Sequence, residues 1–137
     1  MDTRESLRKD INLHKDLIGA PYAFGYSGPE FYDCYGLVIE IYRRLGIYLP
    51  KQLLVSDNPK EIEDCINANK ARWVETSSPK AYDVILFSIA PRFISHIGLV
   101  LDSRRFLHTM LGRNACIEYY DKIPWKNRVR GFYRWHN

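Results

Sequence analysis

Cys34, His96 and His108 are the residues of this 137-residue chain whose types and spacing suit chemistry. Cys34 stands in Phe31-Tyr32-Asp33-Cys34-Tyr35-Gly36-Leu37-Val38, where a polar, glycine-marked turn gives way to an apolar helical pattern. A thiol on the first turn of a helix meets partial positive charge and unpaired N–H groups, which favour the nucleophilic thiolate. His96 opens the run Ile97-Gly98-Leu99-Val100, and His108 falls in the next apolar run, twelve residues on. One Cys and two distant His make a set for acyl transfer. It holds a nucleophile, a base that takes the thiol proton and returns it to a leaving amine, and a group that fixes the base's tautomer. A hairpin turning at Asp102-Ser103 brings the two histidines together and gives His108 the orienting role.

Each residue alone has a plainer reading. A Cys at a helix start is commonly a small buried hydrophobe, and a strand His is commonly structural. It is the combination that points to catalysis. A metal site is the rival use of the same residues. The chain has no His-Glu-x-x-His and no paired Cys-x-x-Cys to support one, so neither metal nor cofactor is expected.

The elements that must position these residues follow from the apolar pattern. Leu7, Ile11, Leu17 and Ile18 predict a first helix, with Asp2 or Thr3 available as its cap and Gly19 and Pro21 ending it. Residues 22–32, rich in Gly, Pro, Ser and Tyr, read as a loop. A second helix runs from Asp33 to Leu45, with Leu37, Val38, Ile41, Tyr42 and Leu45 as its buried stripe and Gly46 as its C-cap. Asn58-Pro59 followed by Glu61 starts a third, reaching Asn69. Short β-branched and aromatic runs then cover Arg72–Thr76, Asp83–Ile89, His96–Leu101, Arg105–Met110, Ala115–Tyr120 and Gly131–Trp135. Turns are expected at Asp102-Ser103 and Gly112-Arg113-Asn114. Helices first and strands after predict an α+β fold, an antiparallel sheet packed against the Cys34 helix.

The remaining polar candidates are read more simply. Asp33 is first a helix N-cap and second a group able to hold a cationic part of a substrate. Cys65 and Cys116 suit core positions, and His14 and His136 suit the surface. Lys122, Lys126, Arg128, Arg130 and Arg134 read as a solvated basic face.

Composition bounds the classes. The length predicts a single domain over residues 1–137, and 46% hydrophobic and 14% aromatic residues suffice for a packed core. The balance of 20 basic against 16 acidic residues is a mild surplus that gives no warrant for nucleic acid. Three irregularly spaced cysteines indicate neither a disulfide framework nor a zinc ribbon. Met1–Lys15 lacks the apolar centre of a signal peptide, and no run reaches membrane-spanning length. The expectation is a soluble protein made in the cytoplasm, with no membrane partner.

Six segments, in order, resemble the NlpC-type peptidoglycan endopeptidases, a family of papain-like cysteine peptidases. Gly19-Ala20-Pro21-Tyr22-Ala23-Phe24-Gly25 is similar to its G-x-P-Y-x-(W/Y/F)-G segment, and Asp33-Cys34-Tyr35-Gly36-Leu37-Val38 to its D-C-S-G-L-V motif. Gly46-Ile47-Tyr48-Leu49-Pro50 is similar to G-I-x-L-P, and Asp83-Val84-Ile85-Leu86-Phe87 to its G-D-L-V-F-F strand. His96-Ile97-Gly98-Leu99-Val100 is similar to H-V-G-I-Y, and Phe106-Leu107-His108 to the strand bearing the third polar residue.

The resemblance implies a papain-like fold, with Cys34 as nucleophile, His96 as base and His108 as its orienter. Tyr22 would face the nucleophile and join the Cys34 backbone N–H at the oxyanion. Asp33, Tyr35 and Ser95 are the expected substrate-binding residues beside this set. The implied reaction is hydrolysis of an amide bond in a peptidoglycan stem peptide, commonly from D-Glu to the diamino acid. The alternatives are another thiol acyl-transfer enzyme on the same scaffold, an amidase or a lipid acyltransferase, and a non-catalytic phage tail assembly protein.

Two departures stand out. Tyr35 replaces the usual Ser after the cysteine, where a bulky ring is expected to reshape the cleft, and Tyr82 replaces the Gly before Asp83. The D-C-Y-G variant, the small size, the lack of a signal-peptide pattern and the Arg130–Arg134 end look most like tail-associated phage or prophage peptidases, and a contact-delivered antibacterial effector would share these features. That resemblance implies phage tail-tip proteins as partners, and a virion-associated or periplasm-delivered site of action.

Overall fold

The Asp33 carboxylate starts the helix that carries Cys34. In the computed structural model, which describes residues 12–50, 60–89 and 93–136, helix α1 spans Cys34–Arg44 and Asp33 Oδ1 accepts the Gly36 N–H at 2.6 Å. This bond satisfies one of the orphan donors of a helix start. Arg43 and Arg44 in the last turn both bond Glu40 and complement the negative end of the helix. Helix α2 spans Glu61–Ala68, with Glu61, Glu63 and Asp64 in its first turn and Ile62, Cys65 and Ile66 buried. The predicted caps Asp2, Thr3 and Asn58, and the apolar residues Leu7 and Ile11, lie outside the described residues. Leu17 sits in a 3-10 turn over Lys15–Leu17.

Six strands follow: β1 Trp73–Thr76, β2 Val84–Phe87, β3 His96–Val100, β4 Arg105–Met110, β5 Arg113–Tyr119 and β6 Val129–Trp135. They form one sheet in the order β1-β6-β2-β3-β4-β5. All five neighbouring pairs are antiparallel. This is the predicted α+β arrangement, two helices on an antiparallel sheet. The turn expected over Gly112-Arg113-Asn114 is shorter: β5 begins at Arg113, because an irregularity after His108 brings Met110 opposite Arg113. Gly112, at φ +82°, takes the left-handed turn position.

Side chains alternate across the sheet, as strand geometry requires. Val84, Leu86, Ile97, Leu99 and Leu107 pack with Leu37, Val38 and Ile41 of α1 in the larger core. Ile85, Phe87, Val100 and Phe106 form a second core with Trp125 on the opposite face. Asp83, fully buried, anchors β2 to β6: Arg134 Nε donates to Oδ1 at 3.0 Å and its terminal nitrogen to Oδ2 at 2.7 Å. Arg134 is therefore no part of a solvated basic face.

His14 also departs from the expected surface position. It is only 9% exposed, and its Nδ1 lies 2.8 Å from the Tyr82 hydroxyl, which also accepts the Leu13 N–H at 3.1 Å. Tyr82 stands at φ 69°, a left-handed conformation that costs a non-glycine residue about 1–2 kcal/mol. Glycine would adopt this conformation freely, but it could not reach His14 and Leu13. Burial, and then the Arg105 charge, hold the His14 pKa below its usual value, with Asp16 opposing.

The sign follows from proton linkage: the unfolded chain binds the proton more readily, so His14 stabilises the fold at neutral pH. That contribution is lost as pH falls below about 6.5. His14→Asn keeps a polar partner for Tyr82 but cannot titrate. Urea midpoints taken from pH 7 to pH 5 should fall less steeply in the variant than in the wild type. Parallel slopes would remove His14 from the acid sensitivity.

Gly36 sets the loop against the helix. A Cβ there would stand 2.0 Å from the Tyr26 carbonyl oxygen, which also accepts the Asp33 N–H at 2.9 Å. Gly36→Ala should destabilise by about 3 kcal/mol, at the upper end for overpacking a closed site. Chemical denaturation reads this directly, and a cost below about 1 kcal/mol would mean that the loop yields.

Candidate active site

His96 begins β3 and His108 lies in β4, where Leu99 pairs with Leu107 and Val100 with Phe106. That register sets the two histidines on one sheet face as diagonal neighbours. Gly98 keeps the approach open, since a Cβ there would meet the Phe106 ring at 2.9 Å and the Leu107 oxygen at 3.0 Å. His96 Nε2 lies 2.8 Å from His108 Nδ1. His108 Nε2 lies in turn 2.6 Å from Glu118 Oε2, and Arg113 pairs with Glu118 at the rim. The line crosses β3, β4 and β5.

Its donors and acceptors have one consistent assignment. Glu118 as a carboxylate only accepts, so His108 donates from Nε2 and accepts at Nδ1. His96 then donates from Nε2, which leaves its Nδ1 as the free lone pair. Burial resists the negative charge on Glu118, but hydrogen bonds from His108 and Arg113 prevail and hold it ionised below the usual carboxylate range. The Trp125 indole N–H helps, although it completes no bond of full geometry among the described residues. Burial lowers the pKa of both histidines, most strongly His96, which is 3% exposed. Both rings are neutral at pH 7. Trp125 stacks on His96 at 5.9 Å and meets His108 edge-on at 5.0 Å.

Cys34 stands at the helix start, as the sequence indicates, on the α1 side of β3. Its thiol differs from expectation. Burial first, and the Asp33 carboxylate second, push it up to about 12, against backbone groups of Ile97, Tyr35 and Cys34 itself. The helix end does not win, because the thiol is enclosed and its capping residue is an acid. Cys34 and His96 share no direct hydrogen bond; the thiol lies by the Ile97 backbone, while the His96 ring lies among Phe87, Trp125 and His108. The Cys34 thiol and the His96 ring approach the same stretch of β3 from its two faces, and burial favours the neutral form of each.

Tyr22 is half-buried. Burial, then the Cys34 and Asp33 charges, raise its phenol pKa, so it remains a neutral O–H donor within reach of their fields. Three expected substrate-binding residues are differently employed. Asp33 is 2% exposed and both oxygens take backbone N–H groups, Oδ1 from Gly36 and Oδ2 from Gly25 at 2.9 Å, which leaves no face for a substrate cation. Ser95 Oγ accepts the Ile89 N–H at 2.9 Å and closes the β2–β3 connection. Tyr35 is 1% exposed, close to Cys65, with its hydroxyl unpaired among the described residues. Its ring sits about 100° round the helix from Cys34 and packs in the core, so it shapes no open cleft.

Glu118 and Cys116 are the neighbours that the sequence reading did not pick out. Cys116 is partly exposed, pairs with His108 in register, and sets Sγ 3.8 Å from His108 Nε2. The available signal was strand alternation: once His108 faces one side, its partner on β5 and the residue two further on face it too.

Two helices on a six-stranded antiparallel sheet, with Cys34 at the start of the helix packed on β3, form a papain-like scaffold. The sequence profile of the NlpC/P60 family matches residues 19–134, and the chain belongs to that family. An NLP/P60 family lipoprotein-like protein of Staphylococcus aureus is similar in structure (TM-score 0.70, 23% identity, 100% of this chain and 43% of that one). So is NlpC1 of Trichomonas vaginalis (TM-score 0.67, 24% identity, 94% of this chain and 45% of that one). RipB of Mycobacterium tuberculosis, a peptidoglycan hydrolase, gives TM-score 0.63 and 19% identity over 95% of this chain and 64% of its own. The chain thus spans less than half the length of the first two. No curated protein sequence matches it.

The neutral resting thiol has a kinetic signature. Alkylation of Cys34 by iodoacetamide, mapped by peptide mass, should rise about tenfold per pH unit from pH 6 to 9. A rate that is level across this range would reveal a preformed thiolate and overturn the assignment.

Proposed function

We propose that the chain is a cysteine endopeptidase that cuts amide bonds in peptidoglycan stem peptides, the bond from D-Glu to the diamino acid being the intended one. The observation that carries this reading is the His96–His108–Glu118 line, which leaves His96 Nδ1 as the one free base. Family membership supports the reaction class, and RipB and SagA, the latter similar at TM-score 0.60 and 19% identity, are peptidoglycan hydrolases.

In this reading the Cys34 thiol leaves the Ile97 backbone for the start of β3, where His96 stands, and meets His96 Nδ1 there. It gives up its proton as sulfur attacks the substrate carbonyl carbon. The oxyanion is met by the Cys34 N–H at the helix start and the Tyr22 hydroxyl. The imidazolium is held by His108, behind which stands the Glu118 charge, and returns its proton to the departing amine. That leaves a thioester, and water activated by His96 hydrolyses it to a carboxylic acid and the free thiol. No helix among the described residues is long and apolar enough to cross a membrane. The D-C-Y-G variant and the Arg130–Arg134 end favour a tail-associated setting.

Mass spectrometry of defined muropeptides tests the proposal. Cys34→Ala and His96→Ala should abolish turnover. His108→Ala should lower kcat by about 10²–10³ and leave a residue, since it orients and does not transfer the proton. Wild-type protein that is folded yet cuts no muropeptide would favour the non-catalytic assembly role.

A further inference from the structure

The orienting end of the histidine line is also a set of metal-ligand atoms. His108 Nε2, Cys116 Sγ and a Glu118 carboxylate oxygen all lie within 4.8 Å of one another. Cys116 Sγ is 3.8 Å from His108 Nε2 and 3.9 Å from Glu118 Oε2. A tetrahedral zinc ion with bonds of about 2.0–2.3 Å needs ligand atoms about 3.3–3.6 Å apart. The two sulfur distances need only a small contraction. The 2.6 Å nitrogen–oxygen contact must widen, as it does when the proton between those atoms leaves. Glu118 opens on a groove of about 220 Å³ lined by Lys122, Pro124 and Trp125, which gives an ion a way in. One imidazole, one thiolate and one carboxylate leave a fourth position for water, the donor set of a zinc-type divalent cation. The Arg113 guanidinium, 49% exposed, is the counter-charge that the ion displaces from Glu118.

We propose that His108, Cys116 and Glu118 bind a zinc-type divalent ion, and that its binding switches off the base at His96. The inhibitory part rests on the peptidase reading; the binding part does not. A metal on His108 Nε2 leaves that ring's proton only Nδ1, from which it donates to His96 Nε2. The His96 proton is thereby placed on Nδ1, the atom that must accept the Cys34 proton. Each imidazole keeps one proton, and the Cys116 thiol proton leaves to solvent as sulfur binds the metal. The same contacts that orient the base thus become the means of inverting it.

Cobalt(II) and zinc chloride are the probes, on the full chain. Cobalt should give a thiolate-to-metal absorption band in wild type and in Cys34→Ala, and none in Cys116→Ala. Long-range ¹H–¹⁵N NMR should show the ring proton of His96 and His108 pass from Nε2 to Nδ1 on adding zinc. Cys116→Ala should keep its basal muropeptide turnover and need at least about tenfold more zinc for half-inhibition. A band that is absent from wild type, or that is lost with Cys34 and kept without Cys116, overturns the site. A band without the tautomer change or inhibition overturns the switch. Absorption and NMR need no turnover, so failure of the peptidase reading would be seen separately.

Discussion

The register between β3, β4 and β5 is the constraint on which the site depends. With Leu99 opposite Leu107 and His108 opposite Cys116, the alternation of side chains sets His96, His108, Cys116 and Glu118 on one face. A slip of one residue would turn His108 into the α1 core and bring Leu107 to the polar line. Two features hold that register. The apolar partners are fully buried on both faces, and Gly98 lets the two strands approach closely enough for a 2.8 Å bond between rings.

Cys34 is governed by a second, opposing constraint. A helix end wants an acceptor at its cap, and Asp33 supplies one to Gly36 while tying Gly25 and the preceding loop to the same carboxylate. The same charge opposes a thiolate one residue away. Local stability and nucleophile activation therefore pull apart at the Asp33-Cys34 step, and burial settles the contest in favour of the neutral thiol.

The sequence made the scaffold legible wherever pattern and chemistry coincide. The α1 stripe of Leu37, Val38 and Ile41, its cap, the six strand placements within a residue or two, and the His96–His108 pairing follow from periodicity and turn residues. What it could not show depends on long-range pairing. Glu118 is an ordinary half-exposed strand acid until β5 is aligned with β4. Arg134 resembles its basic neighbours until β6 is laid beside β2, where Asp83 awaits it. His14 lies in polar sequence, yet Tyr82, 68 residues away, buries it. Tyr35 was misleading for a different reason: adjacency to Cys34 in sequence says nothing of direction on a helix, and about 100° of rotation takes the ring from the site to the core.

The distribution of charge across the site explains why it is built as a line. A thiolate–imidazolium pair enclosed on all sides would need its desolvation repaid by near-ideal contact, and Cys34 and His96 share no direct bond. The interior instead holds only neutral rings whose protons are fixed by direction. Within the histidine line the formal negative charge, Glu118, stands at the rim, paired with Arg113. Such an arrangement costs little at rest and still presents a negative field to His96 when it takes up a proton, because each ring passes on the polarisation of the next. It also makes the site sensitive at its outer end. On the proposal above, an ion held by Glu118 and His108 would set, through the hydrogen bond between the two rings, which nitrogen of His96 carries the proton.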